Sequence, residues 1–203
     1  MSAIPFFGAI SAKETFFYPD TPCGELPEHL RIAMPRNARP GIQILLRSNE
    51  ETEQIELVSS QFTGEYFCMR SIPVEYNTGN GEDQGGAMVL EQRPERRPSY
   101  ATKLAPFWVY DCLEPVPEGT ITVRDGLAAA YVCLIPGENL QPGDYSAMLR
   151  LGGYACRLEI RVYDVTIPLD SFPVTNWFSL DAIERFHHVQ RGTEEFYGMV
   201  RRY

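Results

Sequence analysis

Apolar and polar side chains alternate with a period of two through most of the chain before residue 167, and this pattern limits the fold more than any other feature. In the run 157–162, three aliphatic residues alternate with three charged ones, and Ile42, Ile44 and Leu46 follow the same rule. Six prolines in the first forty residues exclude a long helix there. Because turn residues recur between such runs, the sequence predicts about seven or eight strands.

The predicted fold is mainly β, an antiparallel β-sandwich of the immunoglobulin-like or jelly-roll-like kind that covers residues 1–168. The pattern changes after Pro168, where the apolar run 174–178 is followed by two stretches with helical spacing. In the second stretch, apolar residues recur at the i, i+3, i+4 and i+7 positions of an amphipathic helix, namely Phe196, Met199, Val200 and Tyr203.

The helix that this spacing predicts has Thr193 as its N-cap, with Glu194 and Glu195 in its first turn. A strand followed by helices is how a (β/α) unit begins. Residues 169–203 are therefore predicted to be the start of a (β/α) barrel domain, truncated at the end of this chain.

Composition excludes several classes of partner. The chain has 27 acidic and 18 basic residues and a formal charge of −9, which disfavours a nucleic-acid-binding surface. No stretch approaches the ~20 apolar residues of a membrane span. Five cysteines without a C-x-x-C pair favour a reduced compartment, and the amino terminus is a poor signal peptide. The predicted localisation is cytoplasmic, without nucleic-acid or membrane partners.

Motifs for catalysis or metal binding are weak. The loop 79–84 resembles a glycine-rich phosphate cradle, but Gln84 replaces the third glycine and Glu82 and Asp83 would repel phosphate. His187 and His188 are adjacent, so on a helix their side chains point about 100° apart and cannot coordinate the same metal ion. The arginines of 93–97 indicate a polar crossing loop or, alternatively, an anion or partner contact. No metal and no cofactor are predicted.

The chain has two tryptophans, Trp108 and Trp177. A tryptophan in a strand more often fills a core or a domain interface than stacks on a sugar, so a core or interface position is expected for Trp108, with sugar stacking as the alternative. Trp177 lies at the end of the predicted first barrel strand, where side chains face the active site in barrel enzymes.

The segment 173–181, Pro-Val-Thr-Asn-Trp-Phe-Ser-Leu-Asp, resembles the junction between the two domains of glycoside hydrolase family 123 and its uncharacterised relatives. Upstream, the segments 105–111 and 134–145 look like the amino-terminal sandwich of the same group, so the resemblance covers roughly residues 100–203. The family usually has an aspartate where this chain has Asn176.

The resemblance implies a β-sandwich that precedes a barrel, and the barrel cleaves terminal N-acetylgalactosamine residues by substrate-assisted catalysis. It places Asn176, Trp177 and Asp181 at the ligand. The family's catalytic residues are an adjacent Asp-Glu pair on a later barrel strand, and this chain contains no Asp-Glu dipeptide. No catalytic residue is therefore predicted here, although the full-length parent is predicted to be a glycoside hydrolase.

Three functions are possible as hypotheses. In the first, the chain is the non-catalytic sandwich of a glycoside-hydrolase-like protein, where it braces its own C-terminal barrel domain and lines one side of the substrate cleft. In the second, it is a carbohydrate-binding module that holds a glycan through exposed aromatic residues such as Trp108 or Tyr110. In the third, it is a structural or protein-interaction sandwich, with a homodimer formed through the C-terminal helix.

Overall fold

A computed structural model describes residues 6–13, 17–75, 103–168, 184–185, 188 and 190–202. Contacts within the chain divide it into two compact units, Met1–Ile167 and Pro168–Tyr203. The predicted strand at 174–178 and the helical stretch after it lie largely outside the described residues. The (β/α) barrel therefore stays a prediction.

The first unit is built from strands, which confirms the prediction of a mainly β fold. The described strands are β1 (Phe7–Ser11), β2 (Gly24–Glu25), β3 (His29–Pro35), β4 (Gly41–Arg47), β5 (Thr52–Val58), β6 (Phe62–Val74), β7 (Phe107–Pro115), β8 (Thr120–Arg124), β9 (Leu127–Pro136), β10 (Gly143–Leu151) and β11 (Tyr154–Tyr163).

These strands form one eleven-stranded sheet with the order β2-β1-β4-β9-β8-β5-β10-β11-β3, and β6 branches from β9 to pair with β7. The long strand β6 pairs with β9 through its first half and with β7 through its second half. Among the described strands, β2, β3 and β7 lie at free ends, so the sheet is open.

One pair of strands departs from the predicted antiparallel arrangement. β3 and β11 run parallel, with Ile32 opposite Ile160 and Pro35 opposite Tyr163. A hairpin forces its two strands to be antiparallel, but strands joined by a long connection are free to be parallel. Local patterns cannot show this because the paired residues are about 128 positions apart.

The turn between β8 and β9 has the backbone conformation that its Asp-Gly sequence favours. Asp125 and Gly126 have φ angles of 51° and 72°. A two-residue hairpin turn of type I′ requires positive φ at both positions, and Asp-Gly is among the dipeptides that adopt it most readily.

The core draws on alternate residues of most strands. Every second residue of β11 is buried along the whole strand, and this set includes Cys156, Leu158, Ile160 and Val162. They join a single cluster with buried residues of β3, β4, β5, β6, β8, β9 and β10. Because both halves of the sheet order contribute to one cluster, the sheet curls so that its apolar faces meet.

β4 is buried on both of its faces. Ile44 and Leu46 belong to the main cluster, whereas Leu45 packs with Phe17, Met69 and Ala129 in a second cluster. The segment that carries Phe17 is tied to β7, since the Tyr110 N–H donates to the Phe17 carbonyl at 3.1 Å. The period-two pattern alone does not predict this second apolar layer.

The second unit contains helix α1 (Glu194–Arg202), which confirms the predicted amphipathic helix. The predicted N-cap is also confirmed, because the Phe196 N–H donates to Thr193 Oγ1 at 3.2 Å. Within the described ranges, no helix is both long and apolar enough to cross a membrane.

Candidate functional site

The chain leaves β11 beside the turn that comes after β3. The two strands are in register up to their last residues, so the segments after them continue next to each other. The Arg36 N–H donates to the Val165 carbonyl at 2.9 Å, and Arg36 Nη2 donates to Thr166 Oγ1 at 3.2 Å. The same nitrogen lies 3.4 Å from Asp164 Oδ1, so Arg36 contacts three consecutive residues of the exit segment 164–167.

Asn37 holds the end of this segment through two reciprocal hydrogen bonds. Its Nδ2 donates to the Ile167 carbonyl at 2.7 Å, and the Ile167 N–H donates to its Oδ1 at 2.9 Å. Both backbone groups of one residue are thereby paired by one amide side chain. We call Arg36, Asn37 and the segment 164–167 the exit clamp.

Apolar side chains on and beside the exit clamp face solvent. Tyr163 and Val165 are each 54% exposed, and Ile167 is 46% exposed. The backbone of this segment is therefore fixed by hydrogen bonds, while its apolar side chains stay available for a contact.

Trp108 lies on β7, opposite Pro73 of β6. It is 54% exposed, so the expectation that it fills a core is wrong, whereas an interface position and sugar stacking both stay predictions. The physical reason is its place in the sheet, because β6 is the only described strand that pairs with β7. Pro73 is exposed opposite Trp108, so the two side chains share one apolar patch on this face of the sheet. Ile72 and Leu113 on the same two strands are exposed as well, but Ile72 pairs with Val109 and therefore points to the other face.

The other predicted ligand-binding residues lie outside the described residues, namely Asn176, Trp177 and Asp181. The glycine-rich loop 79–84, the arginines of 93–97 and His187 lie outside them too. The structure therefore does not bring these residues together with Trp108, and their roles stay predictions. Of the two other histidines, His188 is exposed and His29 Nδ1 lies 3.7 Å from Glu159 Oε1.

The cysteines are free thiols, and three of them are shielded from ionisation. Burial raises the pKa of the Cys68, Cys133 and Cys156 thiols. A thiol must ionise to act as a nucleophile or a metal ligand, so these three are poorly suited to either role at neutral pH. Within the part of the chain that the structure describes, no three His, Cys, Asp or Glu residues are grouped so that they could hold a metal ion.

A second group of polar residues that sequence reasoning missed lies on the outward face of β3, β10 and β11. Arg31 Nε donates to Glu159 Oε2 at 3.0 Å, and Arg161 Nη1 donates to Asp144 Oδ2 at 2.6 Å. The alternation in 157–162 predicts that Arg157, Glu159 and Arg161 share one face of a strand, but their partners on β3 and β10 depend on register. A local motif could not have identified either this group or the exit clamp.

The relationship to glycoside hydrolase family 123 stays a prediction, because a comparison of the chain with known proteins finds no family model and no curated protein that matches it.

Proposed function

We propose that this chain is the β-sandwich module of a glycoside-hydrolase-like protein, and that it braces the adjoining (β/α) domain that begins near residue 169. The exit clamp is the observation that carries the proposal. A linker between independent domains is typically exposed, flexible and poor in contacts. Here the last four residues before the boundary make polar contacts with Arg36 and Asn37 instead.

The clamp suits a bracing role because it sets the direction in which the chain leaves the sheet. Fixing one backbone residue costs about 1–2 kcal/mol of conformational entropy. The two bonds to Asn37 offset part of that cost, since each contributes about 0.5–1.5 kcal/mol. The exposed side chains of Val165 and Ile167 supply apolar surface at the point where a neighbouring domain would pack.

Amide hydrogen exchange on the full chain tests this proposal. In Asn37→Ala we expect the Ile167 amide to exchange about tenfold faster, because two hydrogen bonds are lost. If the clamp braces the adjoining domain, the amides of α1 will lose protection in the same variant. Asn49→Ala is the matched control, since Asn49 is a turn residue outside the clamp; it should leave both sets of amides unchanged.

Two results would contradict the bracing role. Unchanged exchange at Ile167 would mean that the clamp does not hold the segment in solution. Faster exchange at Ile167 without any effect on α1 would mean that the clamp orders only its own residues.

A carbohydrate-binding role is the second candidate, and the exposure of Trp108 favours it. An indole ring that is 54% exposed on a strand can stack on the face of a sugar. Pro73, which lies opposite Trp108 on β6 and is also exposed, extends the apolar surface on the same face of the sheet. The same surface would also suit a protein interface, so a ligand measurement has to decide.

We expect a methyl glycoside of N-acetylgalactosamine to bind the chain in an NMR titration, and Trp108→Ala to weaken this binding about tenfold, equivalent to ~1.4 kcal/mol. Trp108→Phe should restore part of the affinity because it keeps an aromatic face. Leu113→Ala is the control, since it removes an exposed apolar side chain from the same strand. Equal binding by Trp108→Ala and the unmodified chain would exclude sugar stacking at this residue.

A further inference from the structure

The outward face of β3, β10 and β11 contains a cavity of about 620 Å³. Two small residues lie among the long charged side chains of this face, with Ala33 opposite Arg161 and Ser146 opposite Glu159. Small side chains at these two positions leave a depression between longer neighbours. The volume falls within the range of about 300–1,000 Å³ that is usual for small-molecule sites.

The charges around this depression are not balanced. Three arginines line the cavity, together with two carboxylates, namely Arg31, Arg157, Arg161, Asp144 and Glu159. Arg31 pairs with Glu159 and Arg161 pairs with Asp144. Among the described residues, no carboxylate forms an ion pair with Arg157. The cavity therefore holds one positive charge in excess, on a chain whose formal charge is −9.

The ion pairs also position hydrogen-bonding groups. A guanidinium has five N–H donors, and the bonds to the two carboxylates use only Nε of Arg31 and Nη1 of Arg161. Carboxylate oxygens accept several hydrogen bonds each, so Asp144 and Glu159 can accept from hydroxyl groups while they hold the arginines. All five side chains project from the same face of paired strands, so the spacing of their Cα atoms is fixed by the register.

We infer that this cavity binds a small hydroxylated carboxylate, such as an acidic sugar. The ligand's carboxylate would pair with Arg157, because a guanidinium fork matches two carboxylate oxygens. Its hydroxyl groups would donate to Asp144 and Glu159 and accept from Arg31 and Arg161. None of these residues belongs to the exit clamp, so the inference does not rest on the bracing role.

A titration of the full chain with D-glucuronate, monitored by NMR at constant ionic strength, tests the inference. D-glucose is the matched neutral probe, because it has the hydroxylated ring without the carboxylate. Acetate is the opposite probe, because it has the carboxylate without the hydroxylated ring. We expect glucuronate to bind at least about tenfold more tightly than either. In Arg157→Gln the affinity for glucuronate should fall by about ten- to a hundredfold, as expected for the loss of a charge-assisted hydrogen bond.

Arg150→Gln is the control, because Arg150 is exposed on the same strand as Asp144 and pairs with Glu56 instead. It should leave the affinity unchanged, and the unfolding temperatures of both variants should match that of the unmodified chain. Arg157→Lys is a second test variant, to be used if Arg157→Gln folds poorly. It keeps the positive charge but loses the planar guanidinium that can bind both carboxylate oxygens, so it should also weaken binding.

Several results would overturn the inference. Equal affinity for glucuronate and glucose would show that the carboxylate is not recognised. Equal affinity for glucuronate and acetate would show that the hydroxyl groups are not recognised. The same loss in the Arg150 and Arg157 variants would indicate a diffuse charge effect. Asn37→Ala should bind glucuronate normally, so a failure of the bracing proposal and a failure of this one give different results.

Discussion

Leu45→Asp is expected to leave the chain unable to fold. Leu45 is fully buried in the second cluster, between Phe17, Met69 and Ala129. No buried polar or charged residue occurs among the described residues, so the new carboxylate would have no partner in this layer. An unpaired buried charge costs several kcal/mol, which is comparable to the total stability of about 5–15 kcal/mol of a typical domain. Circular dichroism and urea unfolding would measure the loss.

Arg47→Asp is the matched control, because residue 47 lies on the same face of β4 and is exposed. It should change the free energy of unfolding by no more than about 0.5 kcal/mol. Leu45→Ala should be intermediate, with a loss of about 2–5 kcal/mol. A folded Leu45→Asp variant with the stability of Arg47→Asp would mean that the segment around Phe17 does not cover β4 in solution.

The burial of β4 shows which part of the fold the sequence predicts and which part it does not. The alternation of Ile42, Ile44 and Leu46 correctly predicts one buried face of β4, because one face of a paired strand repeats every second residue. Leu45 interrupts the alternation, and its burial depends on Phe17, which is 28 positions away in the chain. The second apolar layer is therefore a tertiary feature.

In the candidate sites, too, local features are predictable from the sequence and contacts between distant residues are not. The helical spacing that begins at Phe196 is a local signal, and with Thr193 before it the sequence correctly predicts helix α1 and its N-cap. The exit clamp joins Asn37 to Ile167 across 130 positions and has no local signature. Residue type and spacing identified Trp108 as an aromatic strand residue, but its exposure depends on the edge position of β7.

The outward face of β11 shows how register creates a site from an ordinary pattern. Alternating charges such as those of Arg157, Glu159 and Arg161 are typical of any solvated strand. The parallel pairing with β3 brings Arg31 to Glu159, and the antiparallel pairing with β10 brings Asp144 to Arg161. The unbalanced charge at Arg157 emerges only once both neighbours are known.

Alkaline pH is expected to destabilise the fold through its buried tyrosines. Tyr154 is 4% exposed, and its hydroxyl donates to the Pro27 carbonyl at 2.5 Å. Burial, together with a smaller effect of a hydrogen bond with Cys156, raises the pKa of Tyr154 above its usual range. Burial also raises the pKa of Tyr110 and Tyr131.

The sign of the effect is set by proton linkage. In the unfolded chain a tyrosine loses its proton near pH ~10, whereas in the folded chain Tyr154 keeps it to higher pH. The stabilisation from neutral Tyr154 is therefore complete below about pH 10 and is lost as the pH rises towards its folded-state pKa. For this residue the slope is about 1.4 kcal/mol per pH unit.

Urea unfolding of the full chain between about pH 8 and pH 11 measures this slope. Tyr154→Phe should be less stable at the lower pH by about 1–3 kcal/mol, because the Pro27 carbonyl loses its donor. Above about pH 10 its stability should fall less steeply than that of the unmodified chain, so the two curves converge. Tyr163→Phe, which removes an exposed hydroxyl from the same strand, is the control for the loss at the lower pH. Parallel curves for the unmodified chain and Tyr154→Phe would mean that Tyr154 ionises equally readily in the folded and unfolded states, which its burial makes physically unfavourable.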